Sequence, residues 1–211
     1  ADSDKKDLGC HTGTISDAYR KLYLAGKLTN ARKEFDTGRS SFNLAMGSSD
    51  FYDWLRENPD LFRPDSIDYI HDPARIGKLS RVISINGGVQ VDLMGQENAE
   101  SANGMQLSGI GGQMDFLEGA FRSAGGCGYI CINSSRLTKD GVRKSNILPF
   151  IPSGSTVSAP RTLIEAVATE YGIAHLAGKS LAERRKAMIA ISHPDFRDAL
   201  RFEKPDLSLF L

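Results

Sequence analysis

Between residues 81 and 133 the chain sets short apolar runs between glycines: RVISIN, then GG, then VQVDLMG, and later GGCGYICIN. Runs this brief and this apolar fit strands covered on both faces better than they fit helices. Such strands need helices to cover them, and the flanking segments have helical periodicity. Residues 16–27 place Tyr19, Leu22 and Tyr23 on one side and stop at Gly26; SSDFYDWLRENP (48–59) opens on serine caps and ends at a proline. Residues 114–123 carry Phe116, Leu117, Ala120 and Phe121, SLAERRKAMIAISH (180–193) reads as an amphipathic helix, and HPDFRDALRF as a last short one. RSSFNLAMG (39–47) and TLIEAVATEYG (162–172) add strand segments. The alternation predicts an α/β fold in one domain over residues 8–211, behind a polar tail at residues 1–7. Gly87-Gly88 predicts a tight hairpin or bulged turn between the strands around it.

Charge narrows the classes of partner. Lys+Arg and Asp+Glu both number 26, so the formal net charge is zero, which argues against a general nucleic-acid or membrane-surface binder. No apolar run approaches the length needed to cross a bilayer. Three cysteines, an odd count, fit a reducing compartment such as the cytoplasm better than a disulfide framework. Cys127 and Cys131 share one face of a strand and read as buried, inert thiols. No spacing of His11, His71, His175 and His193 with the cysteines resembles a zinc site, so no metal is expected.

Three stretches have the composition of working sites. His11-Thr12-Gly13 reads as a polar loop at a helix start, with Thr14 or Ser16 as the cap. In SGIGGQMDF, Gly109, Gly111 and Gly112 let backbone N–H groups approach a ligand at a helix N-terminus; a nucleotide loop, an oxyanion hole and a plain tight turn all remain open. The spacing is G-x-G-G, which leaves the dinucleotide fingerprint incomplete. Glu170 follows an apolar strand, at the edge where open α/β sheets bind ligands. His175 reads as a packing residue, and Asp92, Glu97 and Glu100 as three acids on a polar turn.

Taken together, DLMGQENAES, SGIGGQMDFLEGA, ATEYGIAHLAGKSLAERRKAMIAISHPDFR and the opening HTG-x-x-SD resemble the C-terminal half of the acetyl-CoA hydrolase/4-hydroxybutyrate CoA-transferase family. The match runs in order from about residue 8 to residue 200. The resemblance implies an open three-layer α/β/α domain of the CoA-transferase type (NagB/RpiA-like). It also implies a second CoA-transferase-like half, expected on a separate chain, in a higher-order oligomer, with acyl-CoA as substrate. In the family a glutamate in H-T-E-x-x-S-D attacks the thioester and carries the acyl group as an anhydride. Here the motif reads His11-Thr12-Gly13-Thr14-Ile15-Ser16-Asp17, and glycine stands at the nucleophile's position. Two further positions depart: His71 stands where the family commonly has Asn, and Asn146 where it has Arg. The glycines matching its oxyanion and CoA contacts, Gly111 and Gly112, are intact, as is Glu170.

The resemblance therefore assigns substrate or CoA contacts to His11, Thr12, Gly109, Gly111, Gly112 and Gln113. The candidate catalytic set is Glu170 and the Gly112 amide, which match the family, and His71, which departs from it, around the lost nucleophile at Gly13. Histidine is suited to activate water near neutral pH, and His71 equally fits a hydrogen-bonding wall in place of Asn. The resulting expectation is one subunit of a heteromeric acyl-CoA enzyme acting by hydrolysis or C–C bond cleavage. The alternatives are an ordinary CoA-transferase or acetyl-CoA hydrolase with an altered site, or a non-catalytic CoA-binding subunit.

Overall fold

The computed structural model describes residues 4–102 and 104–201. The sequence reads as one domain from residue 8, and the backbone clusters into two compact units: Ala1–Val82 with Arg122–Gly126, and Ile83–Phe121 with Cys127–Leu211. Among the described residues no helix is long and apolar enough to cross a membrane.

In the first unit, β1 (His11–Ile15), β2 (Ser40–Ala45) and β3 (Phe62–Pro64) form an all-parallel sheet in the order β1-β2-β3. The helices are α1 (Asp17–Leu24), α2 (Ser49–Glu57), α3 (Ile67–Ile70) and α4 (Pro73–Ile76). Ile15, Phe42, Phe51, Trp54 and Phe62 make the core, with Tyr19 and Tyr23 of α1 packed against it. The α2 boundaries follow from local chemistry: the Ser48 hydroxyl accepts the Phe51 N–H, and the helix stops before Pro59. Lys33 is buried here, its ammonium donating to the Cys10 and Arg39 carbonyls and to the Ser41 hydroxyl.

In the second unit come β4 (Ile83–Gly87), β5 (Gln90–Asp92), β6 (Glu97–Asn98), β7 (Ser101–Ala102), β8 (Met105–Gln106), α5 (Gln113–Arg122) and β9 (Cys127–Cys131). They are followed by β10 (Ser135–Leu137), β11 (Arg143–Ser145), β12 (Ile147–Leu148), β13 (Ala166–Thr169), β14 (Gly172–His175), α6 (Leu181–Ala190) and α7 (Pro194–Arg201). The main sheet has the order β14-β13-β9-β4; β4, β9 and β13 pair in parallel, and β14 is antiparallel to β13. A smaller sheet runs β12-β5-β6, and β7-β8 and β10-β11 form two-stranded ribbons. The core gathers Leu117 of α5, Ile130 of β9, Val167 of β13, Ala174 of β14 and Met188 of α6. A reciprocal capping box between Ser180 and Glu183 starts α6.

Several expectations need correction. Gly87-Gly88 is not a hairpin: β4 pairs with β9, whereas β5 pairs with β12 and β6. The second glycine is there for close approach, since a Cβ on Gly88 would lie 2.5 Å from the Glu97 carboxylate. His11-Thr12-Gly13 is not a loop at a helix start but part of β1, and Ser16 is the N-cap residue of α1 without a side-chain cap bond. Asp92, Glu97 and Glu100 are not surface acids, because all three are buried. Of the thiols, Cys10 is buried and Cys131 is exposed. His175 ends β14 with its side chain exposed, rather than packing in a turn.

Candidate active site

The first unit builds its candidate site on β1. His11 and Gly13 lie two residues apart and so share one face of the strand. The His11 ring nitrogen Nε2 sits 2.8 Å from the Ile70 carbonyl at the end of α3, and the ring meets Phe35 edge-on. Burial pushes its pKa down to about 4, against the raising effect of that carbonyl, so His11 is neutral in the fold and Nε2–H is the donor. Thr12 donates its hydroxyl to the Thr14 carbonyl.

His71 caps the C-terminus of α3, and Asp72-Pro73 restarts the chain as α4, with the Asp72 carboxylate accepting the Ala74 N–H. This junction of two short helices delivers the His71 ring over Gly13. A Cβ on Gly13 would lie 3.0 Å from His71 Nε2 and 3.7 Å from Asn43 Oδ1, and those two atoms are 3.2 Å apart. The space that a side chain at position 13 would fill is thus bordered by an imidazole nitrogen and an amide oxygen.

The second unit builds on the carboxyl ends of its parallel strands. Gly88 follows β4, Ser134 lies just beyond β9, and Glu170 directly follows β13. Glu170 accepts the Ser134 N–H at 2.9 Å and the Ser134 hydroxyl at 2.5 Å. Partial burial raises its pKa, the two Ser134 donors outweigh that, and the carboxyl ends below its ordinary range. Glu170 is therefore not a loose loop glutamate but an exposed carboxylate held in place from the neighbouring strand.

The glycine loop is tied at both ends to the segment from Glu97 to Ser101. At its start, Leu107 N–H donates to the Glu100 carbonyl and the Gln106 amide to the Glu100 carboxylate. At its end, Gln113, the first residue of α5, donates to Glu97 Oε2. Gly109 and Gly111 are exposed, and a Cβ on either would meet nothing within 4 Å. Gly111 needs glycine for another reason, its φ of 59°. The Gly112 carbonyl accepts the Phe116 N–H and so starts α5.

Sequence reasoning missed Glu97. Its side chain is fully buried, Oε1 has no hydrogen-bond partner among the described residues, and burial raises its carboxyl to about 8 against the lowering effect of Gln113. Nothing local distinguishes it from an acid on a turn, since its burial comes from Gly88 and Ala159, both remote in the chain. Asp92 has a structural role, accepting the Met94 and Gln96 N–H groups and the Gln96 amide. Asn146 is buried and bridges Arg136 to the Asn133 carbonyl. Among the described residues no group of three or more His, Cys, Asp or Glu side chains is placed to hold a metal ion.

The structure thus brings His11, Gly13 and His71 together in one unit, and in the other joins Gly109–Gln113 to Glu97 and fixes Glu170 on Ser134. The family described as acetyl-CoA hydrolase/transferase C-terminal domain matches residues 47–204. The chain belongs to this family. The C-terminal domain so defined is 44% identical over 200 residues to a butyryl-CoA:acetate CoA-transferase of Anaerostipes caccae, covering 95% of this chain and 45% of that protein. The crystal structure of RipA from Yersinia pestis superposes with a TM-score of 0.84 at 40% identity, covering 93% of this chain and 43% of that one. A 4-hydroxybutyrate CoA-transferase from Porphyromonas gingivalis superposes with a TM-score of 0.77 at 36% identity, covering 92% and 44%. The fold of this acetyl-CoA hydrolase/transferase C-terminal domain is therefore the CoA-transferase-like α/β fold. The chain spans about half the length of the relatives it matches.

Proposed function

We propose that this domain is one half of a heteromeric enzyme that acts on an acyl-CoA thioester by hydrolysis or C–C bond cleavage, without a covalent carrier at position 13. One observation carries the reading: the side-chain space absent at Gly13 opens onto His71 Nε2 at 3.0 Å. Glycine cannot form an acyl anhydride, whereas an imidazole bordering the space, in the tautomer that carries its proton on Nδ1 and frees Nε2 from Asn43, can take a proton from a water or a substrate carbon there. For hydrolysis, the water oxygen bonds to the thioester carbon, its proton passes to His71, and the C–S bond breaks to release CoA. His11 and Thr12 serve as contacts to substrate on the same strand.

For the second unit, the same reading gives the Gly112 amide the developing negative charge on a thioester or enolate oxygen. Gly109, Gly111 and Gln113 contact CoA, and Glu170 handles protons at the carboxyl ends of the parallel strands. The family membership and the intact loop support these roles. The three free cysteines support a reducing, cytoplasmic setting.

The test is an acyl-CoA panel offered to the domain assembled with a complementary family half, with consumption of the acyl-CoA and appearance of free CoA or a shorter acyl-CoA, followed by mass spectrometry, as the readout. The expected result is turnover that does not require an acceptor acid and falls at least tenfold in His71→Ala. Absence of turnover for every thioester overturns the proposal. A second reading, an ordinary transferase with an altered site, is favoured by the transferase names of three relatives 42–44% identical to this chain. It predicts that Gly13→Glu, which needs His71 to give by a few tenths of an ångström, switches on acetate-dependent CoA exchange.

A further inference from the structure

The main sheet of the second unit is built from parallel strands, and parallel sheets are stable when both faces are covered. One face meets this condition: Ile130, Val167 and Ala174 point into the core beneath α5 and α6. The other face meets it only in part: Ala166, in its middle, is fully buried, and the positions around it are not. Its rows follow from the register. Ile83 lies beside Cys127, and Ile85 aligns with Tyr129, Ala166 and His175. Gly87 aligns with Cys131, Ala168 and Ile173.

On this face Ile83, Ile85 and Ile173 are 54%, 68% and 53% exposed, and Cys131 is exposed with them. Alternation along β4 is the inverse of a surface strand, with isoleucines outward and Ser84 buried. An edge strand of a soluble protein ordinarily carries charge outward to block association. Here the outward positions of β4 are Ile83, Ile85 and Gly87.

We propose that this apolar sheet face is the docking surface for the other half of the family's longer proteins, which covers it with an apolar, helix-bearing surface of its own. The inference rests on the reading that a second half completes the enzyme. The relatives supply the argument for this occupant: the chain matches over 93–100% of its own length and only 43–46% of theirs, so as much polypeptide again accompanies this domain in each. A covered parallel sheet needs helices on its second face, and among the described residues none lies over these isoleucines.

Cys131 makes the test direct, because it is a native thiol on the face in question, and Cys10 is a buried control. The unmatched half of the Anaerostipes caccae transferase is fused ahead of this chain, and alkylation of Cys131 by iodoacetamide is followed by peptide mass spectrometry in the chain alone and in the fusion. The expected result is fast modification in the chain alone and modification at least tenfold slower in the fusion. Ile85→Asp should restore the fast rate in the fusion while leaving the far-ultraviolet circular dichroism of the chain unchanged. Two docked halves, resistant to proteolysis at the join, with Cys131 still reactive would overturn the assignment of this face and leave the two-half reading standing. Halves that separate on cleavage at the join would overturn both. Protection of Cys131 already present in the chain alone would overturn the assignment too; sedimentation as a dimer would then name a second copy as the occupant.

Discussion

The Gln113 side-chain amide donates to a carboxylate, Glu97, that has no exposure to solvent. This one contact anchors the end of the glycine loop to the strand segment beneath it. It also places a titratable group under the loop, facing Gly88 and Ile132, with Glu100 the charged neighbour that raises its pKa further.

Glu97 should therefore make the protein less stable as pH rises. Its folded pKa of about 8 lies above the ordinary 4.5, so between these values the folded state holds a proton that the unfolded state has lost. The stabilisation is complete below 4.5 and is lost as pH rises through about 8. Relative to Glu97→Gln, the wild type should lose roughly 1.4 kcal/mol per pH unit across that window. Urea denaturation of both proteins at several pH values measures the difference, and parallel profiles would refute the prediction.

His11 should produce a slope of the opposite sign. Its folded pKa of about 4 lies below the ordinary 6.5, so its contribution is present above 6.5 and is lost as pH falls through about 4. Glutamine at position 11 keeps a donor for the Ile70 carbonyl and carries no titrating ring. Wild type minus His11→Gln should lose about 1.4 kcal/mol per pH unit on the way down. A difference that stays flat from neutral pH to pH 4 would show that His11 protonates as easily folded as unfolded.

What could be read in the sequence follows the range of the interactions involved. The helix limits at Ser48, Pro59, Ser180 and Glu183 are local signals, and the structure has them. Position 13 and the end of β13 at Glu170 could be located because short motifs mark them. The pairing of Gly87-Gly88 was hidden, since a glycine pair between apolar runs looks the same whether the strands pair together or in different sheets. His11-Thr12-Gly13 looked like a loop because a polar strand becomes recognisable only through its parallel partner, β2. Glu97 was the least accessible of all, as its neighbours reach it only in the folded chain.

Asp36 should prove a structural anchor of the first unit. Its side chain is 3% exposed and accepts from Arg63, the Ser41 hydroxyl and the Tyr69 hydroxyl. Asp36→Ala removes the more buried of the two carboxylates that Arg63 pairs with, leaves the Ser41 and Tyr69 hydroxyls without their acceptor, and takes away the negative charge near the buried Lys33 ammonium, which should cost about 2–3 kcal/mol. A fall in the urea midpoint measures it. A change within about 0.5 kcal/mol, the range of an ordinary surface substitution, would contradict the role.

Ser134 should act on catalysis through Glu170. Its hydroxyl and N–H both donate to that carboxylate and hold its pKa below the ordinary range. Ser134→Ala removes the hydroxyl and keeps the N–H, so the Glu170 pKa should rise part of the way back. If ionised Glu170 handles protons in turnover, the acid limb of kcat/KM against pH should move to higher pH in Ser134→Ala and vanish in Glu170→Gln. A merely structural serine would lower kcat/KM evenly at every pH. Thioester turnover by the assembled enzyme, measured from pH 4 to pH 8, separates the two: an acid limb that does not move in Ser134→Ala removes Glu170 from the proton-transfer step.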